Sequence, residues 1–327
     1  VFAPVAAYDD NMSTTIEWTD VTWNPIRGCS LVSAGCQNCY AMRQAHRFAR
    51  PGQPYEGLTE LGPHGPRWTG QIRLVPKLLD APLHWRTPRR IFVNSMSDLF
   101  HEEVPDEFID QVFSVMASAA RHMFQVLTKR PERMRQYCLS RAVMPREMFP
   151  RLIHRYMDLD RSVEWTKTWP LPNVWLGVSV EDQHTANERI SLLLQTPAAV
   201  RWISAEPLLG PISFRACLNR LDWVVVGGES GSRARPCDVD WIRSIVQQCQ
   251  KANVPVLVKQ LGAYIVDRND AGFEGDTETS WPMDTYLDDP LNDWSYQSAA
   301  IRLRLRDRKG GDPAEWPQDI RVREYPR

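Results

Sequence analysis

From Thr22 onward, short apolar runs rich in β-branched residues alternate with segments whose apolar positions recur at helical spacing. The runs Arg90–Asn94, Met123–Leu127, Val174–Val180, Val200–Ser204, Trp223–Val226 and Pro255–Lys259 predict strands, and Thr22–Ile26 predicts a weaker first one. Between them, Asp106–Ala120 aligns Phe108, Ile109, Val112, Phe113 and Met116 on one helical face behind Pro105 and an acidic first turn. Pro131 suits the first position of another helix. Asp182 is positioned to cap a helix through Leu194, and Asp238 one through Lys251 with Trp241, Ile245 and Val246 inward. The repeating unit is strand, polar tip, capped helix, which predicts an α/β fold: a parallel sheet with helices outside it.

Two segments break this rhythm. Pro51–Pro88 is proline-rich and carries a Trp68-Thr-Gly70 turn signal, and Met144–Pro172 is rich in arginine, aromatics and proline. Both read as long loops or insertions at the rim of a barrel. The expected organisation is a disordered leader over 1–15, with Met12 as the working start, a partial barrel over 16–268, and an extension over 269–327. The extension holds a β-like run, Ala300–Leu305, and is expected to pack as a cover.

Composition narrows the class. Lysine plus arginine number 39 against 40 aspartate plus glutamate, so no overall charge draws the chain to nucleic acid or membrane. The apolar runs fall short of the roughly 18 residues a membrane span needs, and no secretory signal pattern is present. Seven cysteines are an odd number. Cys138, Cys217, Cys237 and Cys249 are scattered while Cys29, Cys36 and Cys39 are crowded together, which points to a reducing, cytoplasmic setting with one metal site rather than a disulfide framework.

The crowded three lie in Gly28-Cys-Ser-Leu-Val-Ser-Ala-Gly-Cys-Gln-Asn-Cys-Tyr40, between the first strand and a helix-like segment, with Gly28 and Gly35 allowing a tight backbone. Three thiolates can hold three corners of a [4Fe–4S] cube and leave the fourth iron open to another ligand. A zinc site needs four ligands and has a candidate fourth in His46. Inert thiols are the third reading.

Further stretches carry a resemblance. Ile16-Glu-Trp-Thr-Asp-Val-Thr-Trp-Asn-Pro-Ile-Arg-Gly-Cys29, Cys36-Gln-Asn-Cys39-Tyr-Ala, Phe92-Val-Asn-Ser-Met-Ser-Asp-Leu-Phe-His101, Leu127-Thr-Lys-Arg-Pro131 and Gly227-Gly-Glu-Ser-Gly231, with Arg308-Lys-Gly-Gly-Asp-Pro313 and Glu315-Trp-Pro317, resemble the phage-associated three-cysteine-motif family of radical-SAM-like proteins. That family's reaction is unassigned. The resemblance implies a partial (β/α) TIM-like barrel of the radical SAM type and a [4Fe–4S] cluster held by Cys29, Cys36 and Cys39. It also implies S-adenosylmethionine on the open iron and an electron donor such as a flavodoxin or ferredoxin. The loop departs from the superfamily pattern in having six residues between its first two cysteines instead of three, and Asn38 where an aromatic often stands.

Ligands of parallel barrels sit at the carboxyl ends of the strands, and those ends are polar here. By position Asn94-Ser-Met-Ser-Asp98 resembles the segment that holds the methionine amino group, with Asn94, Ser95, Ser97 and Asp98 as candidates; a capped turn is the plain alternative. Lys129 is a candidate for the methionine carboxylate, and Ser179 and Glu181 for the ribose side. Glu206 and Glu229 are candidate catalytic carboxylates, and a ring of salt bridges at the barrel mouth is the alternative for all of these. Arg233 and Arg235, on a small-residue loop, and Lys259 are candidate substrate contacts for a phosphate or carboxylate. Cys237 is a candidate hydrogen-atom donor, although a lone cysteine at a helix start is more often incidental.

The expected activity is reductive cleavage of S-adenosylmethionine to a 5′-deoxyadenosyl radical that takes hydrogen from substrate. Thirteen tryptophans, among them Trp68, Trp85, Trp202 and Trp241, offer stacking surfaces for a nucleotide or nucleic-acid substrate, though core packing is their commoner use and a peptide or small metabolite is the alternative substrate. Two rivals stand beside this reading. One is a zinc-bearing nucleic-acid or partner-binding module. The other is a metal-dependent hydrolase on the same barrel using Glu181, Glu206 and Glu229.

Overall fold

The structure, a computed structural model, describes residues 14–63, 65–143, 169–267, 276–278 and 301–326. In chain order its strands are β1 (Val21–Trp23), β2 (Ile26–Arg27), β3 (Thr59–Gly62), β4 (Gly65–Trp68), β5 (Arg73–Leu74), β6 (Arg90–Val93), β7 (Met123–Thr128) and β8 (Val174–Val180), then β9 (Val200–Ala205), β10 (Trp223–Gly227), β11 (Cys237–Asp238), β12 (Val256–Gln260), β13 (Ile265–Asp267), β14 (Asp276–Glu278) and β15 (Ile301–Arg304). The helices are α1 (Tyr40–His46), α2 (Ala81–His84), α3 (Asp106–Ser118), α4 (Pro131–Ala142), α5 (Gln183–Leu193) and α6 (Val239–Ala252).

One seven-stranded sheet runs in the order β1-β6-β7-β8-β9-β10-β12. The β1–β6, β6–β7, β7–β8 and β10–β12 pairings are parallel. This is the mixed α/β sheet expected from the alternating pattern, and it is compatible with a partial TIM-like fold. All seven residues of β8 are buried, as in a strand covered on both faces.

The predicted first strand is broken. Pro25 has no N–H to give a ladder, so β1 stops at Trp23 and the chain resumes as β2, paired with β5 instead of with the main sheet. The proline-rich stretch that follows the thiol loop is also more ordered than a loop: β3 and β4 form an antiparallel hairpin that packs against α1. Residues 144–168 of the arginine-rich insertion and most of 1–15 lie outside the described residues.

The chain divides into two compact units, the first from Val1–Ser179, Asn187–Ser204 and Arg220–Asp222, the second from Val180–Ala186, Ala205–Asn219 and Trp223–Arg327. In the first, Trp18 packs edge-on against Phe92 and Trp202, with ring centroids 4.6 and 5.2 Å away. Each such buried aromatic stabilises the fold by about 2–3 kcal/mol. Trp68, Trp85 and Trp202 are all buried, which makes them core residues and not an exposed stacking surface. Trp241 is half-buried.

In the second unit Asp238 caps α6 by accepting from the Asp240 amide, and Asn253 ends the helix in the left-handed conformation. The tail lies along β12: Val258 N donates to Val322 O, Glu324 N to Val256 O, and Tyr325 stacks on Trp223 at 5.5 Å. The described part of the extension is thus packed on its own unit. No helix among the described residues is long and apolar enough to cross a membrane.

Candidate functional site

The carboxyl ends of β1, β6 and β7 in the first unit are laced together by side chains. Asn24 Oδ1 accepts from Ser95 Oγ and from the Met96 amide, both at 3.1 Å, while Ser97 Oγ donates to Ile26 O at 2.9 Å. Tyr40, the first residue of α1, donates to Ser95 O at 2.8 Å. Gly28 bridges to Ser97 with φ +89°, and a Cβ there would lie 2.2 Å from Gln71 O, so only glycine lets the thiol loop leave β2 along this path.

Within this frame Asn94 is the exception. It is 2% exposed and has φ +61°, and neither its Oδ1 nor its Nδ2 has a hydrogen-bond partner among the described residues. A buried amide left unpaired costs about 1–3 kcal/mol, and left-handed backbone adds roughly 1–2 kcal/mol for most non-glycine residues, less for asparagine. Such costs persist at places where a ligand later satisfies the group.

Asp98, Ser95 and Ser97 are differently engaged. Asp98 Oδ1 accepts from Thr128 Oγ1 at 2.7 Å and from the Phe100 amide at 3.0 Å, and Oδ2 from the Lys129 amide at 3.2 Å and Arg130 Nη1 at 3.1 Å. Its carboxylate therefore supports the β7 tip, and the serine hydroxyls hold the loop. Lys129 Nζ donates to Ser179 Oγ at 2.7 Å, which brings two candidate cofactor contacts together.

Arg130 was not among the residues singled out from sequence, yet it organises the site. Its side chain is 6% exposed. Nε meets both oxygens of Glu102 at 2.9 Å, Nη2 donates to Ser30 Oγ at 2.6 Å, and Nη1 reaches Cys29 Sγ at 3.9 Å besides Asp98. Burial opposes the guanidinium's charge, but Asp98, Cys29 and Glu102 outweigh it and push its pKa above the usual value. His101 Nδ1 accepts from the Glu103 amide, which leaves Nε2–H to donate to Ser30 Oγ at 2.8 Å. Burial, then Arg130, hold that imidazole's pKa below the ordinary histidine value. Both residues lie inside quoted motif segments, at the end of Phe92–His101 and just before the helix-starting Pro131.

Cys29, Cys36 and Cys39 are free thiols. Ala34–Cys36 form a single 3₁₀ turn, the Val32 amide points at Cys36 Sγ at 3.5 Å, and Cys39 sits at the N-cap position just ahead of α1. Cys29 and Cys39 pack against one apolar cluster that includes Met42, Trp68 and Met96. Burial, followed by Asp98, pushes the Cys29 thiol up to about 12, with Arg130 acting the other way. Burial, then Cys36, also raises Cys39. Metal-free, Cys29 is therefore protonated at neutral pH and must give up that proton to become a ligand. Among the described residues no three cysteine, histidine or acidic side chains stand close enough to hold a metal ion as they are. The donor set nevertheless fits an iron–sulfur cluster by chemistry: three reduced thiols on one loop, a guanidinium beside one sulfur, and an orphaned amide at the adjoining tip. His46, the fourth ligand of the zinc reading, is hydrogen-bonded through Nδ1 to Thr59 Oγ1 at 3.1 Å.

The remaining candidates lie in the second unit. Glu229 is 6% exposed and is held by Arg235 through the amide at 2.9 Å, Nε at 3.0 Å and Nη2 at 2.7 Å, so a candidate catalytic carboxylate and a candidate substrate contact neutralise one another. Lys259 Nζ likewise pairs with Glu206 Oε1 at 2.9 Å. Glu181 is fully buried, its amide donating to Thr185 Oγ1 at 2.9 Å. Arg233 is exposed. Cys237 is 1% exposed in β11, and burial, then Asp238, raise its thiol far above the usual range.

A family model described as a protein of unknown function (DUF5131) matches residues 13–309. No curated protein matches the chain, and no solved structure does.

Proposed function

The chain belongs to the DUF5131 family, and for it we propose a radical S-adenosylmethionine enzyme whose [4Fe–4S] cluster is held by Cys29, Cys36 and Cys39. The observation that carries the reading is Asn94: a buried, left-handed asparagine with both amide atoms unsatisfied, on the tip fastened to the thiol loop. An amide presents one acceptor and a donor pair, which matches the ammonium and carboxylate of an amino acid. The motif resemblance and the three crowded thiols support the same reading.

When bound, the reduced cluster would supply one electron for reductive cleavage of S-adenosylmethionine, with methionine as the leaving group and hydrogen taken from substrate. The chain's own residues do the rest. Asn94 orients the methionine end, Lys129 beside Ser179 offers a cation to its carboxylate, and Arg130 favours the thiolate form of Cys29. The buried aromatics around Trp18 and Trp202 keep water from the sheet side of the first unit. With Trp68, Trp85 and Trp202 in the core, their stacking no longer favours a nucleotide or nucleic-acid substrate, and a peptide or small metabolite stands equally beside it; an electron carrier such as a flavodoxin or ferredoxin is the proposed donor.

Asn94→Gly separates a ligand contact from a structural role. Glycine accepts φ +61° freely and removes the orphaned amide, so urea denaturation is expected to give equal or slightly higher stability, by about 0.5–1 kcal/mol. Affinity of the anaerobically reconstituted protein for S-adenosylmethionine, by equilibrium dialysis, is expected to fall roughly 10–100-fold, as for a lost hydrogen bond to a charged group. Unchanged affinity together with lost stability would make Asn94 a purely structural residue.

A further inference from the structure

The first unit has a second concave place, at the end of the sheet away from the Asn94 tip. Asp20 stands just ahead of β1, Arg89 and Arg90 at the start of β6, Met123 at the start of β7 and Asn173 just ahead of β8, and together they line one open cleft of about 520 Å³. That volume is ordinary for a small-molecule site. Strands β1, β6, β7 and β8 are consecutive in the sheet, so the cleft spans four amino ends. Arg90 and Asn94 lie at opposite ends of β6, four residues or about 13 Å apart, which separates the cleft from the proposed S-adenosylmethionine contact.

The cleft is basic and carries an unsatisfied amide. Arg89, Arg90 and Arg121 line it against the single carboxylate of Asp20, a local charge of +2 in a chain whose total is −1. Arg90 holds Asp20 through its amide at 2.7 Å and Nη2 at 3.0 Å. Arg121 gives Nε to Trp85 O and Nη2 to Leu83 O, and no acidic side chain pairs with it among the described residues. Arg89 lies over the Trp85 ring at 5.6 Å, and its amide donates to His122 Nδ1 at 3.2 Å. His122 Nε2–H is in turn shared by Pro82 O and Trp85 O, so this imidazole is a buried pin that fixes the arginine-bearing loop. Asn173 is 8% exposed; its Nδ2 donates to Met116 O at 2.9 Å and His122 O at 3.2 Å, while Oδ1 has no donor among the described residues. A buried acceptor left in this state calls for a partner.

We propose that this cleft binds a small organic phosphate, a phosphomonoester whose carbon part bears a hydroxyl or amino group. A phosphomonoester carries about −1.5 to −2 charge at neutral pH and three acceptor oxygens, which match the local charge and the guanidinium donors. Guanidinium forks favour phosphate over a lone carboxylate oxygen by their planar, paired geometry. The organic part is called for by the rest of the lining. Pro88, Ala120 and Pro172 offer apolar surface to carbon, and Asn173 Oδ1 needs a donor that a bare phosphate dianion does not have. Sugar phosphates and nucleotides share this chemistry. The site requires neither cluster nor S-adenosylmethionine, so its test stands whatever the outcome at the thiol loop.

Calorimetric titration of the purified chain with ribose 5-phosphate, AMP, inorganic phosphate and ribose tests it, at two salt concentrations. Ribose 5-phosphate or AMP is expected to bind, less tightly at the higher salt, and the tighter of the two tells sugar phosphate from nucleotide. Inorganic phosphate should bind at least about 10-fold more weakly and ribose not measurably, since each lacks half of the contacts. Arg89→Gln and Arg121→Gln should each weaken the organic phosphate at least about 10-fold, whereas Lys129→Gln, at the other end of the sheet, should leave its affinity unchanged. Because Arg121 also ties down the Leu83 and Trp85 carbonyls, the wild type supplies a measurement that needs no variant. Bound ligand should slow modification of Arg89 and Arg121 by phenylglyoxal, read by peptide mass spectrometry. No binding of either organic phosphate overturns the proposal, as do equal affinities in wild type and both cleft variants without protection of the two arginines. Inorganic phosphate as tight as the organic ones would leave a plain anion site in its place, and a loss confined to Lys129→Gln would put the phosphate at the thiol end; either overturns it.

Discussion

Cys36→Ala is expected to abolish iron binding while Cys237→Ala leaves it intact. Loss of even an outer partner of a metal ligand commonly costs about 10–100-fold in affinity, so loss of one of three thiolate ligands should cost at least as much. Cys36 lies at the end of a 3₁₀ turn on an exposed loop, where replacing sulfur by hydrogen disturbs little packing. Cys237 is buried in β11 of the second unit and has no ligand role in the account. Iron and sulfide per chain after anaerobic reconstitution, together with visible absorbance, check both variants. Iron retained in Cys36→Ala would remove the cluster from this loop.

Arg130→Met is expected to lower folding stability of the metal-free protein by about 3–5 kcal/mol in urea denaturation, because it leaves Asp98 buried without its cation. Glu102 contributes little to this loss, since its side chain is 64% exposed. Asp98→Asn in the same background should recover much of the stability: the amide oxygen still accepts from Thr128 and Phe100, and no uncompensated charge remains. Arg130→Lys should fall between, as one ammonium cannot serve Asp98, Glu102 and Ser30 in their fork geometry. A loss below about 1 kcal/mol in Arg130→Met would contradict the central place given to this ion pair.

Much of the fold was legible because it is written in local patterns. The bounds of β8 coincide with the apolar run Val174–Val180, and the Pro105, Pro131, Asp182 and Asp238 signals each mark a helix start in the structure. The first strand was misread because β-like side chains on both sides of Asn24-Pro25 hid the loss of a ladder donor. The site was less legible. Its thiols announce themselves by spacing, whereas Arg130 looks like any solvated arginine ahead of a helix until Asp98, 32 positions away, is seen beside it. The strand-tip acids Glu206 and Glu229 show the same limit. Their sequence context fits catalysis and charge pairing equally, and only the fold brings Lys259 and Arg235 onto them.

The central claim is an open-iron cluster that binds S-adenosylmethionine. The most direct test is the EPR spectrum of the anaerobically reconstituted, dithionite-reduced protein recorded with and without S-adenosylmethionine. The account predicts a reduced [4Fe–4S] signal that changes shape and position when S-adenosylmethionine is added, and that loses this response in Asn94→Gly. A colourless, zinc-loaded protein, or a cluster signal indifferent to S-adenosylmethionine, would contradict it.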